Sequence, residues 1–201
     1  MAELKDILYR VPLTSTFGNM NVEVSNIAFD SRAVKSGFLF VAVKGSTSDG
    51  HAFIDKAVAN GAAVIICETL PPTINEKVTY ITVKSSAQSL GIIAANFFGS
   101  PSQKLKLVGV TGTNGKTTTV TLLYQLFSAL GYRCGLLSTV VNKIVDKEVP
   151  ATHTTPDPIQ LNSLLKDMLQ AGCTHVFMEV SSHAVDQERI AGLQFTGALF
   201  T

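Results

Sequence analysis

Val108-Gly109-Val110-Thr111-Gly112-Thr113-Asn114-Gly115-Lys116-Thr117-Thr118-Thr119 decides the architecture of this chain. An apolar stretch, Leu105 to Val110, leads in with the composition of a buried strand, and a helical pattern runs out from about Lys116 to Leu130. The glycines between them let backbone N–H groups curl around an anion. A helix N-terminus favours negative charge, because its first amides lack intrahelical partners and its dipole is positive there. In that setting Lys116 offers a point charge to outer phosphates and Thr117 a hydroxyl to a phosphate-bound Mg²⁺. Gly112, Thr113, Asn114, Gly115, Lys116, Thr117 and Thr118 are therefore expected to hold a nucleoside triphosphate. The general pattern G-x-x-x-x-G-K-[ST] would place glycine at 110, where this chain has valine, and the dinucleotide pattern G-x-G-x-x-G is absent.

Downstream, the same strand-then-helix alternation continues. Helix residues Val120, Leu123, Phe127 and Leu130 form an expected core face, ending near Gly131. Gly135–Val141 reads as a strand and Lys143–Val149 as an exposed strand or hairpin arm. Asp157-Pro158 opens a helix with Leu161, Leu164, Leu165, Met168 and Leu169 inside, closed by Gly172. His175–Val180 reads as a buried strand, Ala184–Ala191 as a short helix and Gly197–Thr201 as a strand. Upstream, Phe38–Val43, Ala63–Cys67 and Val78–Val83 read as strands. A helix carrying Phe53, Ile54, Ala57 and Val58 lies between the first two, and a helix opened by Ser85 and Gln88 follows the third. The small, polar stretch at 100–104 reads as a linker. The expected fold class is α/β: a small N-terminal domain over 1–99, then the first part of a parallel-sheet phosphate-loop domain over 105–201. The second domain is expected to be incomplete at Thr201, because no helix follows its last strand.

Composition bounds the function. The 201 residues carry 46% hydrophobic and 15% charged side chains, a globular rather than disordered balance. A net charge of +1 gives no electrostatic case for nucleic acid or an anionic membrane as partner. Met1-Ala2-Glu3-Leu4-Lys5-Asp6 lacks the basic start and apolar core of a signal peptide, and no apolar run nears the ~18 residues of a membrane span. A cytoplasmic location is expected. Cys67, Cys134 and Cys173 are odd in number and widely spaced, and read as small buried hydrophobes.

Other residues suggest chemistry with alternatives open. Glu179 closes an apolar strand, so its carboxylate emerges at the sheet edge that carries the phosphate loop; it serves either as a Mg²⁺ partner or as a solvated strand end. His183 fits hydrogen bonding beside the site or helix capping as well as ligation. The polar loop His153-Thr154-Thr155-Pro156-Asp157 suits ligand binding and helix capping equally. Asp30-Ser31-Arg32 and Gly45–His51 are turns with spare hydroxyls flanking the first strand.

The set Asp30-Ser31-Arg32, Gly112–Thr118, Thr154-Thr155-Pro156 and Glu179-Val180-Ser181-Ser182-His183 resembles the Mur ligases, in order along the whole chain, and within them the MurE type. The resemblance implies an N-terminal UDP-muramoyl domain, a central ATPase domain and a C-terminal amino-acid domain, of which this chain supplies the first and about half of the second. It implies that Phe29 and Ser31 sit at the uridine end of the substrate, with Ser46, Thr47 and Ser48 near its diphosphate. It further implies that His153, Thr154, Thr155, Ser181, Gln187 and Arg189 bind the muramoyl-dipeptide, and that ATP and Mg²⁺ are the cofactors, the metal on Thr117 and Glu179. The implied partners are UDP-N-acetylmuramoyl-L-alanyl-D-glutamate and a diamino acid. The implied reaction activates the glutamyl carboxylate as an acyl phosphate, which an amine then converts to an amide. A carbamylated lysine for a second Mg²⁺ is implied beyond Thr201, and the 201 residues alone are expected to be inactive. Two rivals stand beside this reading: a standalone nucleotide or UDP-sugar module, and a ligase like folylpolyglutamate synthase.

Overall fold

The computed structural model describes residues 1–45, 48–151 and 153–201, and the chain divides into two compact units, 1–97 and 98–201. In the first unit the elements run β1 (Ala2–Glu3), α1 (Leu4–Ile7), β2 (Leu13–Phe17), β3 (Glu23–Val24), β4 (Asn26–Ala28) and β5 (Phe38–Val41), followed by α2 (Ile54–Ala59), β6 (Val64–Cys67), β7 (Thr79–Val83) and α3 (Ser86–Phe97). Five strands make one sheet in the order β2-β7-β6-β5-β4. β4, β5, β6 and β7 are parallel, and β2 is an antiparallel edge. Strands 64–67 and 79–83 are buried throughout, as the near-continuous apolar runs of a two-sided parallel sheet require. Phe40, Ile65 and Tyr80 pack with Ile54 and Ala57 of α2 on one face. Ser85 Oγ accepts the Gln88 N–H at 3.2 Å, which fixes the start of α3.

The second unit contains β8 (Lys106–Thr111), α4 (Lys116–Ala129), β9 (Cys134–Leu137), β10 (Val141–Ile144), β11 (Lys147–Pro150), α5 (Pro158–Gln170), β12 (His175–Glu179), α6 (Ser182–Asp186) and β13 (Gly197–Phe200). Its sheet order is β11-β10-β9-β12-β8-β13, with β9, β12, β8 and β13 parallel and β10–β11 an antiparallel hairpin at the edge. Alternation along the strands sorts the core in two. Val110, Leu136 and Phe177 meet Val120 and Tyr124 of α4, whereas Leu107, Val176 and Met178 meet Leu161, Leu165 and Met168 of α5. Each of these buried side chains stabilises the fold by about 1.5–3 kcal/mol relative to exposure. Asp157 caps α5 by accepting the Ile159 and Gln160 N–H groups, and Pro158 occupies its first turn.

Four local expectations are corrected. The stretch 100–104 is a packed 3₁₀ turn of the second unit, because Pro101 and Ser102 are buried and Ser102 Oγ accepts the Gln194 N–H at 3.1 Å. The strand expected over 135–141 breaks at 138–140: Ser138 Oγ donates to the Val141 carbonyl at 2.7 Å and so competes with the ladder. Leu130 is 65% exposed, because the inward face of α4 runs through Val120 and Tyr124. The helix expected over 184–191 is the five-residue α6; Glu188 has φ 56°, incompatible with a continuing right-handed helix. The three cysteines are free and buried, as expected.

Candidate active site

The 112–117 loop, Thr139, Thr154, Glu179 and Ser181–His183 of the second unit meet at the C-terminal ends of its parallel strands, where open α/β sheets hold ligands. β8 and β12 are adjacent and parallel with Glu179 opposite Val110, so the acid stands beside the strand that leads into the 112–115 loop. α4 begins at Lys116 behind Gly115, whose φ of 80° only glycine adopts without strain, and no side chain caps this 14-residue helix. Its N-terminal amides are thus left for an anion. Lys116 folds back onto the loop, Nζ donating to the Gly112 carbonyl at 2.7 Å and the Thr113 carbonyl at 3.4 Å. These contacts hold the ammonium at the mouth of the loop.

A cleft of about 400 Å³ opens at this edge, lined by the loop from Gly112 to Thr117 and, opposite, by Thr139, Thr154, Glu179 and Ser181–His183. Glu179 is 1% exposed, which excludes the solvated strand-end reading. Its Oε1 accepts the Thr139 N–H at 2.8 Å and its Oε2 accepts the Thr139 hydroxyl at 3.2 Å. An ionised carboxylate offers about four acceptor positions, so two remain for a cation. Among the described residues no cluster of three or more His, Cys, Asp or Glu could enclose a metal. A cation between Thr117 and Glu179 would therefore draw most of its ligands from phosphate and water, the habit of Mg²⁺. The donor set fits that ion.

The wall opposite the loop is held by Thr155. This residue is buried; its hydroxyl donates to the Glu179 carbonyl at 3.0 Å and accepts the Ser181 N–H at 3.1 Å. Its carbonyl accepts Arg189 Nη1 at 2.8 Å, while Arg189 Nε and Nη2 both reach Gln187 Oε1, at 3.0 and 2.7 Å. Thr154 lines the cleft, with its Oγ1 3.1 Å from Thr139 Oγ1. Ser181 Oγ accepts the Ala184 N–H and caps α6. His183 lines the cleft; Thr118, His153, Thr155, Gln187 and Arg189 do not. Thr139 is the residue that sequence reading missed. The Ser138-Thr139 pair at the end of an apolar strand was the available signal.

In the first unit, Phe29 is 41% exposed and Ser31 is buried beside it. Their turn is closed by Arg32, whose guanidinium bonds both Asp30 oxygens at 2.7–3.1 Å and holds that carboxyl below the usual range. The Ser31 carbonyl accepts Asn60 Nδ2 at 2.8 Å, tying the turn to the end of α2. Ser46 and Thr47 lie outside the described residues. Ser48 is exposed, and its carbonyl accepts the Gly45 N–H at 3.0 Å. Among the described residues no helix is long and apolar enough to cross a membrane.

Comparison with known proteins agrees with both units. Residues 23–98 match the family model described as Mur ligase family, catalytic domain, and residues 110–201 match the Mur ligase middle domain. Over 99% of its length the chain is 61% identical to the UDP-N-acetylmuramoyl-L-alanyl-D-glutamate–2,6-diaminopimelate ligase of Cytophaga hutchinsonii, and 53% identical to that of Bacteroides fragilis. It spans 41% of the length of each of these relatives. A solved ligase of the same description superposes with a TM-score of 0.80 at 26% identity, covering 100% of this chain and 40% of that one. The MurF ligase of Thermotoga maritima, solved in complex with ADP, superposes with a TM-score of 0.52 at 32% identity, over 78% of this chain and 32% of its own. With the two family models covering both units in sequence order, the chain belongs to the Mur ligase family.

Proposed function

We propose that this chain is the substrate- and ATP-binding part of a cytoplasmic ligase that joins 2,6-diaminopimelate to UDP-N-acetylmuramoyl-L-alanyl-D-glutamate. The observation that carries the reading is the cleft shared by the uncapped α4 N-terminus, Lys116 and Thr117 on one side and the buried Glu179 on the other. Identity of 61% to a diaminopimelate ligase supports the choice of substrates, and the ADP complex of the Thermotoga maritima relative supports an adenine nucleotide.

In this reading the loop amides of 112–115, the Lys116 ammonium and Thr118 at the start of α4 take the phosphates of ATP. ATP, when bound, would supply its γ-phosphoryl group to the substrate's glutamyl carboxylate, leaving ADP, and the acyl phosphate so formed would yield the amide to an attacking amine as inorganic phosphate departs. Thr117 and Glu179 would hold Mg²⁺, which neutralises charge on the phosphates. The chain's own work is positioning and electrostatics. Thr139 aligns the Glu179 carboxylate; His153, Thr154, Ser181, Gln187 and Arg189 receive the muramoyl-dipeptide; Thr155 contributes by fixing the loop against β12. Arg189 uses three donors internally and retains others for a substrate carboxylate. In the first unit, Phe29 and Ser31 take the uridine end, and Ser46, Thr47 and Ser48 the diphosphate.

Calorimetric titration of the 201-residue chain tests this reading. Saturable binding of UDP-N-acetylmuramoyl-L-alanyl-D-glutamate, and none of a folylglutamate, is expected. Binding of the folate instead would transfer the chain to the rival ligase class. The chain alone is expected to release no phosphate in response to both substrates together.

A further inference from the structure

Where β9 gives way to β10, the chain reverses within two residues. The strands pair antiparallel with Lys143 opposite Leu136, a register that carried on sets Val141 opposite Ser138 and leaves Thr139 and Val140 as the connection. The favoured two-residue hairpin turns need positive φ, which β-branched residues avoid, and neither Thr139 nor Val140 adopts it. Side chains close this turn instead. Ser138 Oγ donates to the Val141 carbonyl at 2.7 Å and accepts the Val141 N–H at 3.2 Å, meeting both backbone groups that a facing residue would meet. From the facing strand, Asn142 Oδ1 accepts the Ser138 N–H at 3.2 Å.

The clamp is buried and the tip is not: Ser138 and Asn142 are each 1% exposed, and Val140 is 75% exposed. The Asn142 side-chain amide nitrogen is buried with no partner among the described residues. An amide that strands a buried donor adds little net stability, so what position 142 provides is the acceptor it places on the turn. The turn, in its place, presents Thr139. The Thr139 N–H and hydroxyl meet the two oxygens of Glu179 at 2.8 and 3.2 Å, and both bonds would be lost if the turn moved by about 1 Å.

We infer that Ser138 and Asn142 are positioning residues for Glu179: they fix the turn that carries Thr139, and through Thr139 they orient the buried carboxylate toward a divalent cation on the bound triphosphate. This inference rests on the metal assignment made above for Glu179. Groups that orient a metal-binding side chain tune its affinity without touching the ion, because a ligand held in one geometry needs no reordering when the ion arrives.

ATP titrated into the 201-residue chain by calorimetry, once with Mg²⁺ and once with a chelator, gives the factor by which the metal tightens binding. Glu179→Gln sets the scale, since the part of that factor it removes belongs to the carboxylate. Ser138→Ala and Asn142→Leu are each expected to lower the factor about fivefold, just below the ~10–100-fold typical of groups that bond a metal ligand directly. Ser138→Thr keeps the hydroxyl and is expected to stay within about twofold of the parent. Affinity with the chelator is expected to match the parent's in all of them. In a Glu179→Gln background, Ser138→Ala is expected to lower the factor no further, a result that a general loosening of the fold would not give. Should Ser138→Ala fail to fold, Asn142→Leu, which reaches the turn from the other strand, decides. A parent-like factor in whichever of these two folds overturns the positioning role and leaves the metal assignment standing. A parent-like factor in Glu179→Gln overturns both.

Discussion

Glu179 and Thr139 meet across the ends of two adjacent parallel strands, the carboxylate accepting both the backbone N–H and the side-chain hydroxyl of the threonine. A single residue thus bonds both oxygens of a buried acid, which lines the same cleft as Lys116 and Thr117. The orientation is set before any ligand arrives, which is the condition under which a fixed charge contributes most to phosphoryl transfer.

Separating charge from geometry at position 179 gives the first prediction. Glu179→Gln keeps an acceptor for the Thr139 N–H, and its stability is expected to stay within about 1 kcal/mol of the parent. The dependence of its ADP affinity on Mg²⁺ should weaken, which titrations with the metal and with a chelator would measure. Glu179→Ala strands the Thr139 groups and should cost about 1–3 kcal/mol in denaturant unfolding. An undiminished Mg²⁺ effect in the glutamine variant contradicts the metal assignment.

Lys116→Ala removes the ammonium and its bonds to two loop carbonyls, neither of which is buried deeply. Affinity for ATP is expected to fall by about tenfold or more, with a melting temperature close to the parent's. Calorimetry and thermal denaturation on one preparation check both halves.

Burial pushes the Cys67 thiol up to about 11 from an ordinary 9.0. The folded protein keeps this proton longer than the unfolded chain, so the contribution is complete below the ordinary value. It declines as pH rises from about 9 and is lost as pH passes through the folded value near 11. Alkaline denaturation should therefore steepen over that window, and Cys67→Ala should flatten it. Thiol labelling read by mass spectrometry at pH 8 should leave Cys67 unmodified until the chain is unfolded.

Asp157→Ala deletes two capping bonds at the start of α5. A loss of about 1 kcal/mol in stability is expected, with UDP affinity unchanged because the residue belongs to the other unit. Equilibrium denaturation measures it.

What could be read in the sequence was local. The 112–118 loop, the Asp157-Pro158 start of α5 and the stripe Leu161, Leu165 and Met168 carry their signals within a dozen residues, and each is found in place. The short strands β2 and β4, of five and three residues, are too brief for a periodicity and exist because partners far along the chain complete them. Thr139 became visible only with the sheet order, since β12 reaches β9 by inserting between it and β8. Ser86 bonds Lys44 and Glu68, 42 and 18 positions away, which no spacing rule connects. Leu130 matched the helical stripe and is nonetheless exposed, because a stripe fixes which residues share a face but not how far the sheet beneath extends.

The most direct measurement of the central claim is phosphate release from ATP by the ligase of which this chain is proposed to be a part. Release is predicted to require UDP-N-acetylmuramoyl-L-alanyl-D-glutamate and 2,6-diaminopimelate together, with an amide product of matching stoichiometry. Phosphate released with a folate and glutamate instead, or no release with the muramoyl substrate and diaminopimelate both present, would contradict it.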